Sequence, residues 1–201
     1  MAFSRSVRRL LLYRRPAEVK AGSGSPRAGR GAAQHICCAP VPDLRPTQIE
    51  VYLFRRRSGR VDFLCLKRAA RGRLPGIWQP ITGGLRRGEG AFAGAKREVR
   101  EETGLEPRRW WALEGVGIYF HPPAGRARVM AMFAAEIGSK DQVTLSNEHS
   151  DHTFLGAAAA GRRFLWEAQR RGLESVRREV LRGGPLARAL EITHMMKRNR
   201  K

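Results

Sequence analysis

Glu98, Glu101 and Glu102 fall within a stretch, residues 91–103, in which Ala91, Ala95 and Val99 recur every four residues. That period predicts a helix, with Gly104 as its C-terminal stop. The three glutamates, at i, i+3 and i+4, then share one face. Like charges so placed repel by roughly 0.2–0.5 kcal/mol per pair on an exposed helix. The helix dipole also disfavours anions near this end. A helix built only for stability would carry lysine or arginine there. A hard divalent cation removes the conflict, because Mg²⁺ takes carboxylate oxygens and Mn²⁺ can substitute. Taken alone, the carboxylates equally fit a solvated charged face.

The segment leading into this helix sharpens the choice. Gly83, Gly84, Gly88 and Gly90 permit tight bends and close approach of backbone to a ligand. A glycine-rich loop feeding a helix start also suits an anion. Arg97 is placed to reach Glu101 at i+4 and Glu89 across the loop.

The remaining pattern predicts an α/β chain. Ile49, Val51 and Leu53 alternate with Gln48, Glu50 and Tyr52, which reads as a strand. Residues 57–60 form a turn, and Val61, Phe63 and Cys65 continue as the second arm of a hairpin. Short extended segments are expected at 78–82 and 151–155, and longer strands at 110–120 and 126–137. Residues 157–181 read as one long amphipathic helix, ended before Pro185. The organisation expected is a basic, disordered extension over 1–46, one domain over 47–182, and a basic tail or short helix over 183–201.

Composition excludes several classes. No apolar run nears the roughly 20 residues of a membrane span. Three cysteines, two of them adjacent, make neither a disulfide framework nor a zinc spacing. The formal net charge is +21, and arginine outnumbers lysine 33 to 6. Residues 1–40 carry eight basic side chains and one acidic; residues 161–201 carry twelve and four. The excess therefore belongs mostly to the ends, where it offers nucleic acid a nonspecific surface. Residues 1–17 are rich in arginine and lack acids, which fits a mitochondrial presequence, a disordered arm or an over-extended start. Cytoplasmic location is the expectation for the remainder.

Residues 83–105 fit Gly-x5-Glu-x7-Arg-Glu-aliphatic-x-Glu-Glu-x-Gly-aliphatic through Gly83, Glu89, Arg97, Glu98, Val99, Glu101, Glu102, Gly104 and Leu105. This resembles the signature of the Nudix hydrolase family. The resemblance implies a mixed β-sheet sandwiched between helices, and Mg²⁺-dependent cleavage of a phosphoanhydride in a nucleotide-like small molecule. It implies Glu98, Glu101 and Glu102 as metal ligands, with Arg97 orienting them and Glu89 holding the loop. The base that activates water would be one of these glutamates or one outside the motif. Glu148, in the later run Asn147–His152, is the outside candidate. Gly83, Gly84, Lys67 and Arg68 are candidate substrate contacts. Trp78-Gln79-Pro80 running into Thr82-Gly83-Gly84 resembles members acting on dihydroneopterin triphosphate or (deoxy)nucleoside triphosphates. A homodimer is compatible with the family. A non-catalytic module that binds RNA or ribosomes is the competing reading, favoured by the charge and opposed by the intact motif.

Overall fold

Ile49, Val51 and Leu53 are buried as the alternation predicts, but so are Glu50, Tyr52 and Phe54 on the opposite face. This strand runs through the middle of a sheet covered on both sides, and only a doubly covered strand is buried at every position. The structure, a computed structural model, describes residues 44–71 and 74–199. Most of the expected N-terminal extension, including the candidate presequence, lies outside the described residues.

The strands are β1 (Gln48–Arg57), β2 (Arg60–Arg68), β3 (Trp78–Gln79), β4 (Ile81–Gly84), β5 (Arg109–His121), β6 (Arg126–Ile137) and β7 (His149–Gly156). Their order is β3-β2-β1-β6-β5, with β4 also pairing β1 and β7 also pairing β2. The β1–β6 ladder is parallel and the others are antiparallel, so the sheet is mixed. Ser58, at φ 48°, and Gly59, at φ 75°, supply the two left-handed residues that a tight β1–β2 turn requires.

Helix α1 (Ala91–Thr103) packs Ala95 and Val99 on one face of the sheet, against Ile49, Val51, Leu53, Leu64 and Leu66. The opposite face carries Tyr52, Phe54, Phe63, Cys65 and Trp111, covered by Ala160, Leu173, Val176 and Val180. These last belong to α2 (Ala157–Arg163), α3 (Glu167–Ser175) and a π-helical turn over Val176–Leu181. The architecture is therefore a mixed sheet between helical layers.

The long helix expected over 157–181 is divided. Phe164 turns to an extended backbone (ψ 126°) and is buried, while Leu165 and Trp166 are exposed. Burying Phe164 against the sheet, with a bridge to Trp78, outweighs continuing the helix. Helix α4 (Gly184–Leu190) follows, and Glu191 then bridges to Trp111. Ile192 and Met196 pack on the α1-side core. No helix among the described residues is long and apolar enough to cross a membrane.

Candidate active site

Helix α1 presents its three glutamates unequally. Its buried side carries Gly94, Ala95, Val99, Glu102 and Thr103. Glu102 is therefore carried inward, and only 5% of its side chain is exposed. Glu98 is 14% exposed, whereas Glu101 is 44% exposed. Gly104 ends the helix in the left-handed region at φ 67°, returning its N–H to the Arg100 carbonyl at 2.9 Å. The next carbonyls are capped by a distant loop: Thr144 N–H donates to Thr103 O at 2.8 Å and Ser146 N–H to Glu102 O at 3.2 Å. Capping the helix end in this way brings residues 146–149 beside the carboxylates.

Arg97 holds the loop and helix together. Its Nε donates to Glu89 Oε1 at 2.8 Å and Nη2 to Glu89 Oε2 at 2.9 Å. The same guanidinium meets Glu98 at 2.8 Å, Glu101 at 2.9 Å and the Gly84 carbonyl at 3.0 Å. Glu89 also accepts from the Arg86 N–H, and these bonds hold its carboxyl down at about 2. Both contacts expected of Arg97 are formed. Glu101, the most exposed of the three, pairs with Arg97 and also accepts from Arg86 Nη2 at 3.0 Å.

Glu98 and Glu102 stand in a different environment. Burial pushes both carboxyls up, and each is raised further by the other acids, Glu148 among them. Arg97 offsets this at Glu98, and His149 offsets it at Glu102. The His149 Nε2 lies 2.9 Å from Glu102 Oε2, with both side chains buried. An ionised Glu102 can only accept, so Nε2 carries the proton of that bond. The Nδ1 of His149 is buried with no hydrogen-bond partner.

Gly83 has a steric reason to be glycine. A Cβ there would meet the Glu98 carboxyl at about 2.2 Å, whereas one on Gly84 would meet nothing within 4 Å. Arg68 is aimed by a bulge: the β2–β7 register shifts between Lys67 and Arg68, which redirects the side chain. It lines a cavity of about 440 Å³ with Ala69, Arg71, Asn147 and Glu148. Lys67 points to the other face of the sheet, 5.9 Å from the Trp78 ring, and is not in that lining.

The structure thus sets Glu98, Glu101 and Glu102 together on α1 with Glu148 near Glu98 and Glu102, and places Arg68 in the cavity that Glu148 also lines, while Lys67 lies outside that lining. Among the described residues, no three His, Cys, Asp or Glu side chains converge as a preformed cation cage. The donors that do approach are oxygen-only, crowded and mutually repelling, which fits a hard divalent cation completed by water. His149, within the run Asn147–His152, is a further residue of the site that the motif does not name. No local period marks it, because Glu148 lies in the turn before β7 and His149 is the first residue of that strand.

The model of the NUDIX domain matches residues 45–176. Similar solved structures include an Ap4A hydrolase of C. elegans in a binary complex (20% identity, TM-score 0.59), covering 68% of this chain and 98% of that one. The E. coli dihydroneopterin triphosphate pyrophosphohydrolase gives 23% identity and TM-score 0.55, covering 65% and 94%. The MutT protein of Methanosarcina mazei gives 25% and 0.52, covering 67% and 96%. No curated protein matches. Nudix hydrolases in general use divalent metal ions, as the crowded oxygen donors here suit. With the domain matched over more than half of its length, on a mixed sheet between helices, the chain belongs to the Nudix hydrolase family.

Proposed function

We propose that this protein is a Mg²⁺-dependent pyrophosphohydrolase that cleaves a phosphoanhydride bond in a nucleoside-triphosphate-like small molecule. Dihydroneopterin triphosphate or a (deoxy)nucleoside triphosphate is the first choice. The observation that carries this reading is the pair on one face of α1, half-buried Glu98 and buried Glu102, with Glu148 near both. Burial against like charge is costly, and a cation bound between them offsets that cost.

Glu98 and Glu102 would hold the cation, with Glu148 as a further oxygen donor or as the base that takes a proton from the attacking water. When bound, the cation neutralises diphosphate charge and makes a nearby water a better nucleophile. The chain's own residues do the rest by positioning and electrostatics. His149 fixes the rotamer of Glu102 from the buried side. Arg97 fixes Glu98 and ties the loop through Glu89. Arg68 supplies a fixed cation beside the cavity for a phosphate oxygen. Gly83 leaves the Glu98 carboxyl room to lie against the loop backbone.

The substrate choice rests on the Trp78–Gly84 segment. The test is a panel of dihydroneopterin triphosphate, the eight common nucleoside and deoxynucleoside triphosphates, ADP-ribose and diadenosine tetraphosphate, with and without Mg²⁺ and with product identification. Fastest turnover on a triphosphate, releasing pyrophosphate and a monophosphate, supports the assignment. Preference for the dinucleotide or for ADP-ribose would refute the substrate assignment while keeping the hydrolase.

A further inference from the structure

A second cavity, of about 620 Å³, lies along the same sheet face at the other end of the α1-side core. It is lined by Arg55 and Arg57 of β1, His152 and Phe154 of β7, and residues 139–143 of the loop after β6, including Lys140 and Asp141. Its volume is that of a small-ligand pocket. His152 is three residues along β7 from His149, roughly 10 Å at ordinary strand rise. The cavity is therefore separate from the carboxylate centre yet within reach of an extended phosphorylated molecule.

Its lining is net positive. Asp141 is its one acid, and it is already engaged, accepting from the Gly138 N–H at 2.7 Å and pairing with Arg108 at 3.6 Å. Arg55, Arg57 and Lys140 form no ion pair within the described residues. The Arg55 guanidinium lies 3.6 Å from the centre of the Phe154 ring. Stacking fixes its plane, and a fixed guanidinium plane binds oxyanions bidentately through its edge. The Arg55 Nε is buried with no hydrogen-bond partner, and a buried donor left without an acceptor is costly. His152 stands edge-on to Phe154 and adds ring nitrogens to the wall. One oriented arginine and two further cations around a cavity form a site for a multiply charged oxyanion.

We propose that this cavity is a second phosphate-binding site, taking a polyphosphate group with Arg55 as its oriented anchor and Arg57 and Lys140 as supporting charges. The inference does not depend on the reading of the carboxylate centre. The phosphate can belong to the far end of the substrate or to a separate ligand.

The experiment titrates inorganic tripolyphosphate into the full-length ¹⁵N-labelled protein in EDTA, without divalent metal, following the backbone amides. The site predicts saturable shifts in residues 139–142 and 152–154. It also predicts an affinity about tenfold weaker in Arg55→Gln and in Arg57→Gln/Lys140→Gln. A charge-matched control, Arg126→Gln/Arg162→Gln, should bind as wild type does. The paired surface variant keeps the test decisive should Arg55→Gln fail to fold. Shifts scattered over the surface, or equal weakening in the control, overturn the site. Turnover then separates the two sources. A raised KM at unchanged kcat in the paired variant assigns the phosphate to the substrate's own far end. An unchanged KM with lost tripolyphosphate binding assigns it to a separate ligand.

Discussion

Gly83 and Glu98 are an instance of two residues read together. The motif marks both, yet only the structure shows why the first must lack a side chain: its Cβ would occupy the space of the Glu98 carboxyl. Because the obstructing atoms are the flexible end of a glutamate, Gly83→Ala should displace Glu98 rather than unfold the chain. We expect turnover to fall by about tenfold or more, on the scale of losing one oriented electrostatic group, with melting temperature little changed. Gly84→Ala, whose Cβ meets open space, should retain most activity. Equal losses in the two variants would show that Glu98 is not displaced. Glu50 makes a second prediction. It is buried and hydrogen-bonded to the Tyr52 hydroxyl, and burial raises its carboxyl to about 7. Between its ordinary value of 4.5 and about 7, the folded state binds more protons than the unfolded one. Stability contributed by Glu50 is therefore lost as pH rises through that window, on the order of 3 kcal/mol in all. Glu50→Gln keeps an acceptor for Tyr52 and should flatten the decline, seen by comparing urea unfolding at pH 5 and pH 8. Parallel behaviour of variant and wild type would contradict it.

At the scale of elements, the sequence carried α1 and its companions well and their closure poorly. The four-residue period of Ala91, Ala95 and Val99, with Gly104 behind them, locates the helix because one packing face and one left-handed stop are both local signals. The alternation in β1 is local too, but burial of its second face depends on α3, more than a hundred residues away. The break at Phe164–Trp166 was illegible for the same reason: the periodicity of 157–181 is helical throughout, and what interrupts it is a long-range contact with Trp78. Among site residues, the motif pointed to Glu98, Glu101 and Glu102 alike, whereas the unequal burial of the three depends on long-range packing of α1, and the extra tie of Glu101 to Arg86 on a residue fifteen positions earlier. The loop that caps α1 and delivers His149 carries a prediction at this scale. His149→Ala leaves the inner oxygen of Glu102 buried without its partner, which costs roughly 1–3 kcal/mol. Thermal unfolding should show that loss, and His149→Gln, which can donate a similar bond, should recover part of it.

Across the whole molecule, two kinds of charge should be kept apart. The excess of basic side chains sits mostly towards the ends of the sequence, while the site gathers acids on one helix and one loop. A cation that binds the folded site stabilises it by mass action, by about 2.7 kcal/mol at a hundred times its dissociation constant. The measurement that bears most directly on the central claim is therefore made on wild type and Glu102→Gln together. Melting temperature is followed as Mg²⁺ is added, and turnover of the best triphosphate is measured on the same samples. The account predicts that Mg²⁺ stabilises wild type and supports its turnover. It predicts that Glu102→Gln folds, loses the Mg²⁺-dependent rise, and is slower by about a hundredfold or more. Wild type and variant with the same Mg²⁺ response and the same rate would contradict it.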